Sequence, residues 1–387
     1  MNLFINAYGV ICPLGRGKAE VAAALFAGRA DTLSERCDIL PDRSLTVGAV
    51  NGALPSVPEG LSGLDCRNNR MMLAALDEIS EAVAAAVERH GADRVAVVCG
   101  TSTSGISEVE GALAGYRRDG RWPDGFDYRR HEAGNLGLFT ARALGLRGPA
   151  YTVTTACSSS GKVFASARRL IRADIADAVV VGGADTLCAM TVGGFGALGA
   201  LAATRCNPFS VNRCGITIGE GASAFLLSRQ EAAIRVLGVG ETSDAHHPTA
   251  PDPNGRGARE AIEMALLEAE LTAADIGYVN LHGTATPLND AMESQVIAGV
   301  FGGETPCSST KGMTGHMLGA TGGVEAAFLC LSLADGRLPT HLWDGQADPA
   351  LPALNFTTIG QTSAGRAMLS NSFGFGGSNV ALLLGMA

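Results

Sequence analysis

Tyr151-Thr-Val-Thr-Thr-Ala-Cys157-Ser-Ser-Ser-Gly-Lys162 runs from a β-branched strand through a cysteine and three serines into a helix. The helix shows in Val163, Ala167, Leu170 and Ile171, which recur at helical spacing. Cys157 thereby falls at a helix N-terminus, where unpaired N–H groups and the macrodipole favour an anion. Such a position lowers a thiol pKa below its free value of about 8.5. Ser158, Ser159 and Ser160 add capping groups and little bulk, leaving room for a substrate. Taken alone, the segment reads equally as a buried cysteine ahead of N-capping serines.

Working outward, apolar strand-like runs alternate with helical patterns. Arg94–Cys99, Ala178–Gly182, Ser223–Leu227, Tyr278–Leu281 and Asn379–Leu384 are continuously apolar, the pattern of strands covered on both faces. Met71–Arg89, Ser160–Arg172, Gly257–Glu270 and Gly323–Ala334 carry helical periodicity. This alternation predicts an α/β fold with a mostly parallel sheet. A Pro/Asp/His/Gly-rich loop, Thr242–Gly257, punctuates the middle, and a strand, a reactive-looking turn and a helix recur on either side. Two fused, related halves follow, 1–235 carrying the cysteine and 236–387 carrying the histidines described below.

The chain has 387 residues, 47% of them hydrophobic, enough to bury a large core. Its formal net charge of -9 gives no bulk attraction to nucleic acid or to anionic membrane. The start, Met1-Asn-Leu-Phe-Ile-Asn-Ala-Tyr, lacks the basic and long apolar regions of a secretory signal. No stretch reads as a membrane span of about 20 apolar residues. The ten cysteines form no CxxC pair and no metal-ligand spacing. They read as scattered reduced thiols of a cytoplasmic protein, with one of them reactive.

Tyr278-Val-Asn-Leu-His282-Gly-Thr-Ala-Thr-Pro-Leu-Asn-Asp290 places His282 at a strand's end, where open α/β sheets put their chemistry. Thr284 and Thr286 supply hydroxyls beside it, and Glu293 follows on the next helix. Ser309-Thr-Lys311-Gly-Met-Thr-Gly-His316-Met-Leu-Gly-Ala is a glycine-punctuated loop entering an apolar helix. Glycines flanking His316 point to tight backbone and a close ligand. His90, His131 and His341 read as structural, and His246 and His247 as pocket-lining or exposed. In Ser370-Asn-Ser-Phe373-Gly-Phe375-Gly-Gly-Ser-Asn379, aromatics alternate with glycine in a sterically thin turn.

Together these segments resemble the condensing enzymes, specifically elongating β-ketoacyl-acyl-carrier-protein synthases. The resemblance is carried by TACSSS ending at Ser160, LHGTATPLND at 281–290, STKGMTGHMLGA at 309–320 and NSFGFGGSN at 371–379, with SDAHHPTAPDP at 243–253 and IGEGASAFLL at 218–227 in support. It implies a five-layered thiolase-like fold of two related halves and a dimer, either of two copies or with a chain-length-factor-like ketosynthase. It implies substrates carried on the phosphopantetheine of an acyl carrier protein, with no bound cofactor and no metal. The resemblance also assigns roles. Cys157 matches the acylated nucleophile, His282 and His316 the catalytic pair, and Lys311 the lysine behind them, with Glu293 as its acidic partner. Phe375 matches the gating aromatic, next to Phe373. The N–H groups of Cys157 and Phe375 match the oxyanion hole. The implied reaction is decarboxylative Claisen condensation of malonyl-acyl-carrier protein with an acyl group on Cys157.

Some segments depart from that pattern. Ser102–Gly137 matches poorly, and Ser210, Cys214 and Ser378 replace the family's commoner residues. These departures favour a specialised polyketide-like or aryl-polyene pathway over core fatty-acid synthesis. The alternative is a non-catalytic chain-length-factor subunit, which would lack the nucleophile that Cys157 supplies. A degradative thiolase would need a second cysteine near the C-terminus, where Gly374-Phe-Gly-Gly stands instead. An initiating synthase would use Cys-His-Asn and not the His316 motif.

Overall fold

The computed structural model describes residues 2–41, 43–363 and 365–387; Met1, Asp42 and Ala364 lie outside them. The N-terminal half contributes β1 (Phe4–Cys12), β2 (Val95–Gly100), β3 (Ala150–Val153), β4 (Ala178–Asp185) and β5 (Gly221–Ser228) to the main sheet. The C-terminal half contributes β6 (Ile234–Ser243), β7 (Ile276–Asn280), β8 (Pro306–Ser308), β9 (Asn355–Phe356), β10 (Ala367–Gly374) and β11 (Ser378–Met386). Their spatial order is β9-β8-β7-β10-β11-β6-β1-β5-β4-β2-β3. With edge strand β9 set aside, each half has the order third, second, fourth, fifth, first. Strand directions repeat as well: the first three positions are parallel and the last three antiparallel. The halves meet where Phe4 and Ile5 of β1 pair with Arg235 and Ile234 of β6.

The sheet is therefore mixed, which corrects the mostly parallel expectation. The reason is visible between β10 and β11. Only Phe375-Gly-Gly separates them, too few residues for the crossover that a parallel pair requires. The predicted continuous helix Met71–Arg89 is also broken, into Arg67–Leu76 and Ser80–His90 around a tight turn at Asp77–Ile79. That turn brings the Glu78 carboxylate to the backbone N–H groups of Val10 and Lys18, both at 3.1 Å.

Layering follows from which faces are apolar. Helix Arg67–Leu76 packs outside β1 and β5, and helix Arg256–Ala269 packs outside β6 and β11. Between the two half-sheets lie α1 (Ser159–Arg172) and α3 (Thr321–Asp335), in contact with each other. These are the five layers of the thiolase-like fold. Thr321–Leu333 is buried along its whole length, so this helix is apolar all round and not on one face. The run Leu318–Asp335 is apolar enough to cross a membrane, yet 89% of it is buried inside the protein; it is a core helix. A small hairpin, Ser34–Leu40 with Arg43–Val47, lies against helix Ala189–Ala197.

Candidate active site

The two central helices start side by side, and the reactive residues gather at those starts. Strand β3 ends at Val153, and Ala156 then takes a left-handed conformation with φ 52° that turns the chain sharply into α1. A non-glycine residue there is strained, and such strain concentrates at functional sites. Cys157 sits at the turn's apex, 5% exposed. The serines do not cap α1 as the sequence predicts. They tie the turn together: Ser158 Oγ donates to the Thr155 carbonyl at 2.8 Å, and Ser159 Oγ donates to Ala156 O at 2.6 Å and accepts from Thr155 N at 2.9 Å. Ser160 Oγ accepts from Gly323 N at 2.8 Å, fastening α1 to α3. Gly100, at the end of β2, lets the start of α1 lie close against that strand, since a Cβ there would lie 2.5 Å from Ser160 N.

His316 is fully buried, with Nε2 2.9 Å from Cys157 Sγ and Nδ1 3.1 Å from the Thr321 hydroxyl. Its backbone is pinned between β-like partners, donating to Thr217 O at 2.7 Å and accepting from Gly219 N at 2.8 Å. His282 follows β7 and packs edge-on against His316, ring centroids 5.4 Å apart, with Phe373 on another side at 5.9 Å. Its Nδ1 is buried without a hydrogen-bond partner among the described residues. Burial, and then the nearby Lys311 charge, push both imidazoles well below the usual histidine range, so both are neutral near pH 7.

The sequence expectation for Cys157 is a lowered pKa; the structure reverses it. Burial pushes the thiol up to about 11, although Lys311 and the backbone N–H groups of Phe375 and Cys157 pull the other way. A thiolate here therefore depends on a base at hand, and His316 Nε2 is in contact.

Glu293 corrects a second expectation. It does not pair with Lys311. It lies on α2 (Pro287–Phe301) and accepts from the backbone N–H groups of His282 and Gly283, each at 2.7 Å, so it fixes the His282 turn. Burial raises its carboxyl to about 7. The partner of Lys311 is Glu325 on α3: Nζ and Oε1 are 2.7 Å apart, both side chains essentially sealed from solvent. Sequence reasoning missed Glu325, although it is the one charged residue between Thr321 and Ala334. A lone charge on an apolar helix signals a buried partner.

Asp185, at the end of β4, is another residue the sequence did not single out. It is fully buried and accepts from the hydroxyls of Thr101 and Thr103 and from the N–H groups of Ser102, Thr103 and Ala320. It thus binds the loop after β2 to the turn after His316. His341 is buried as well, stacked on Phe356 at 4.1 Å and accepting from Ser309 N at 3.1 Å, which steadies the loop that carries Lys311. His246 and His247 are exposed, and His247 lines the rim of the site.

A cavity of about 390 Å³ leads to Cys157, His282 and His316 from outside. Phe375 lines it, its ring centroid 5.5 Å from that of Phe195, and Phe373 lines it beside His282. Thr284 and Thr286 line it as well, their hydroxyls 3.0 Å apart. Cys157, His282, His316, Phe373, Phe375, Thr284 and Thr286 are thus brought to one cavity, with Lys311 and Glu293 buried behind it.

Comparison with known proteins agrees with this geometry. Residues 64–233 match the family described as "Beta-ketoacyl synthase, N-terminal domain", and residues 233–343 match "Beta-ketoacyl synthase, C-terminal domain". The chain is 35% identical over 257 residues to "3-oxoacyl-[acyl-carrier-protein] synthase 2" of Staphylococcus aureus. That match spans 62% of this chain and 64% of the relative, less than two thirds of its length. Over its whole length the chain is 45% identical to a chain of the complex of the ketosynthase ApeO with its chain length factor ApeC from Xenorhabdus doucetiae, with a TM-score of 0.96 and 98% of that chain covered. A chain of the ishigamide ketosynthase/chain length factor is 28% identical, with a TM-score of 0.91 and 99% of it covered.

Proposed function

The chain belongs to the β-ketoacyl synthase family, and from that premise we propose that it condenses an acyl group held on Cys157 with a malonyl group. Both substrates arrive as thioesters on the phosphopantetheine arm of an acyl carrier protein. The observation that carries this reading is the contact of His316 Nε2 with Cys157 Sγ at 2.9 Å, with His282 beside it at the end of one cavity.

In the first half-reaction His316 takes the thiol proton and Cys157 attacks the acyl thioester. The N–H groups of Cys157 and Phe375 hold the tetrahedral oxyanion. The tetrahedral intermediate collapses, and the carrier thiol leaves with that proton. Thr321 makes this exchange cheap, because a hydroxyl either donates or accepts. His316 can therefore carry its proton on either nitrogen with Nδ1 still satisfied.

In the second half-reaction the malonyl thioester loses CO2. Its enolate oxygen receives N–H bonds from the two neutral imidazoles, and its carbon attacks the acyl-Cys157 carbonyl. The carbon–sulfur bond breaks and the thiolate returns. We assign to Lys311, held by Glu325, the electrostatic setting of this site, and to Glu293 the orientation of His282. Thr284 and Thr286 face the incoming arm, and Phe375 on its glycine turn gates the cavity.

We further propose a pairing with a chain-length-factor-like ketosynthase or with a second copy. The pathway would be a specialised polyketide- or polyene-type elongation in the cytoplasm, given the departures in Ser102–Gly137 and the two ketosynthase complexes it resembles. We place the boundary of the halves near residue 235, beside the start of β6. Intact mass spectrometry after incubation with a panel of acyl-carrier thioesters tests the reading. Acyl adducts that map to Cys157 and discharge on adding malonyl-carrier protein are expected. A chain that stays unmodified while a partner subunit is acylated would instead assign it the non-catalytic role.

A further inference from the structure

We propose that Cys157, His282 and His316 form a site for one thiophilic divalent cation, zinc or cadmium, which occupies the unacylated protein and blocks acyl transfer. The ligating atoms of the three side chains lie within 4.8 Å of one another, and all three residues are buried. Zinc takes Cys sulfur at about 2.3 Å and His nitrogen at about 2.0–2.1 Å, which sets tetrahedral ligands roughly 3.3–3.6 Å apart. The Cys157–His316 pair, at 2.9 Å, must open by roughly 0.6 Å, and the widest pair, no more than 4.8 Å apart, must close by at most roughly 1.5 Å. Side-chain rotation covers both.

Three further observations favour a metal. His282 is 2% exposed and its Nδ1 has no hydrogen-bond partner among the described residues, so a buried lone pair or proton is left unused. His316 is oriented by Thr321 through its other ring nitrogen, the outer contact that metal-bound imidazoles characteristically have. The fourth side of the trio opens onto the cavity, which gives three protein ligands and one free position, the pattern of zinc sites that exchange a ligand. Lys311, whose charge is felt at both imidazoles, opposes a cation there as it opposes a proton, and its pairing with Glu325 at 2.7 Å offsets part of that opposition.

Binding replaces one S–H bond by a sulfur–metal bond: the Cys157 proton leaves to solvent and the two imidazoles bind through lone pairs. An acylated Cys157 has no thiolate to give, so acyl loading and metal binding exclude each other. The ligand set is the same whatever acyl group the protein accepts. The inference therefore stands apart from the condensation reading and is tested without any carrier protein.

The full chain is titrated with Cd2+ alone while the ultraviolet sulfur-to-cadmium charge-transfer band is followed. One ion per chain is expected. The band should be absent from Cys157→Ser and from wild-type chain already alkylated at Cys157. His282→Ala should weaken binding by more than about 10-fold, the loss typical of removing even an outer partner of a ligand. At Zn2+ 100-fold above its dissociation constant, iodoacetamide labelling of Cys157 should slow about 100-fold, since only the metal-free fraction reacts. Exposed Cys37 and Cys214 are the competing thiols. A band that survives Cys157→Ser and vanishes in Cys37→Ser/Cys214→Ser overturns the proposal, as does unchanged labelling at saturating metal.

Discussion

Replacing Glu325 by Gln removes one partner of an ion pair from which solvent is excluded on both sides, with side-chain exposures of 1% for Lys311 and 0% for Glu325. Among the described residues the Lys311 ammonium then has no other ion-pair partner. Breaking a buried pair in this way costs about 3–5 kcal/mol, because the surviving charge stays desolvated. At about 2.1 cal/mol/K of unfolding entropy per residue, a 387-residue chain loses about 1.2 °C of Tm per kcal/mol. Glu325→Gln should therefore lower Tm by about 4–6 °C. Adding Lys311→Met, which removes the stranded charge and fills its volume, should restore at least half of that loss and leave condensation lost. Differential scanning calorimetry of the two single variants and the double variant gives the coupling directly. The same cycle between Glu293→Gln and Lys311→Met should couple by less than about 1 kcal/mol, since Glu293 bonds backbone N–H groups instead. A Glu325→Gln shift below 1 °C, or coupling to Glu293 as large as to Glu325, would refute the assignment of the pair.

Three more outcomes follow from the site. The Cys157 thiol, pushed up to about 11 by burial, should alkylate with iodoacetamide at a rate that climbs steadily from pH 6 to pH 9; a plateau reached near pH 6 would mean a preformed thiolate. Glu293 keeps its proton to about pH 7 in the folded chain but to only about 4.3 when unfolded, so between these values the folded state binds more protons and stability falls as pH rises. Urea unfolding should show wild type losing on the order of 3 kcal/mol relative to Glu293→Gln across that window, and a difference that does not change with pH would sink the point. Gly100→Ala forces a methyl against Ser160 N at 2.5 Å and should cost about 1–3 kcal/mol while slowing Cys157 alkylation; Gly111→Ala, in open space on a helix, should be neutral or stabilising by up to about 1 kcal/mol in the same thermal assay.

What the sequence shows and what it hides divide along local and long-range contacts. Strands β2, β4, β5, β7 and β11 appear within a few residues of where continuous apolar runs place them, because burial on both faces leaves no room for polar alternation. The antiparallel part of each half-sheet was not legible, since strand direction is fixed by connection length and packing and not by composition. Ligand-bearing turns were legible for a related reason. A strand's end, a glycine or small residue, and a helix start are local features, and Cys157, His282 and His316 each stand at one.

Which acid meets Lys311 is a question of three-dimensional distance. Glu293 precedes the lysine on α2 and Glu325 follows it on α3, and only the folded arrangement brings the second within 2.7 Å. Burial likewise decides the state of Cys157. A helix start alone argues for a thiolate, but here the cysteine is only 5% exposed, and desolvation outweighs the dipole. The burial that disfavours a free thiolate also strengthens the few hydrogen bonds that do reach the sulfur. Proton removal is thereby tied to His316, and the reactive form of Cys157 arises with that imidazole in contact, at the closed end of the cavity.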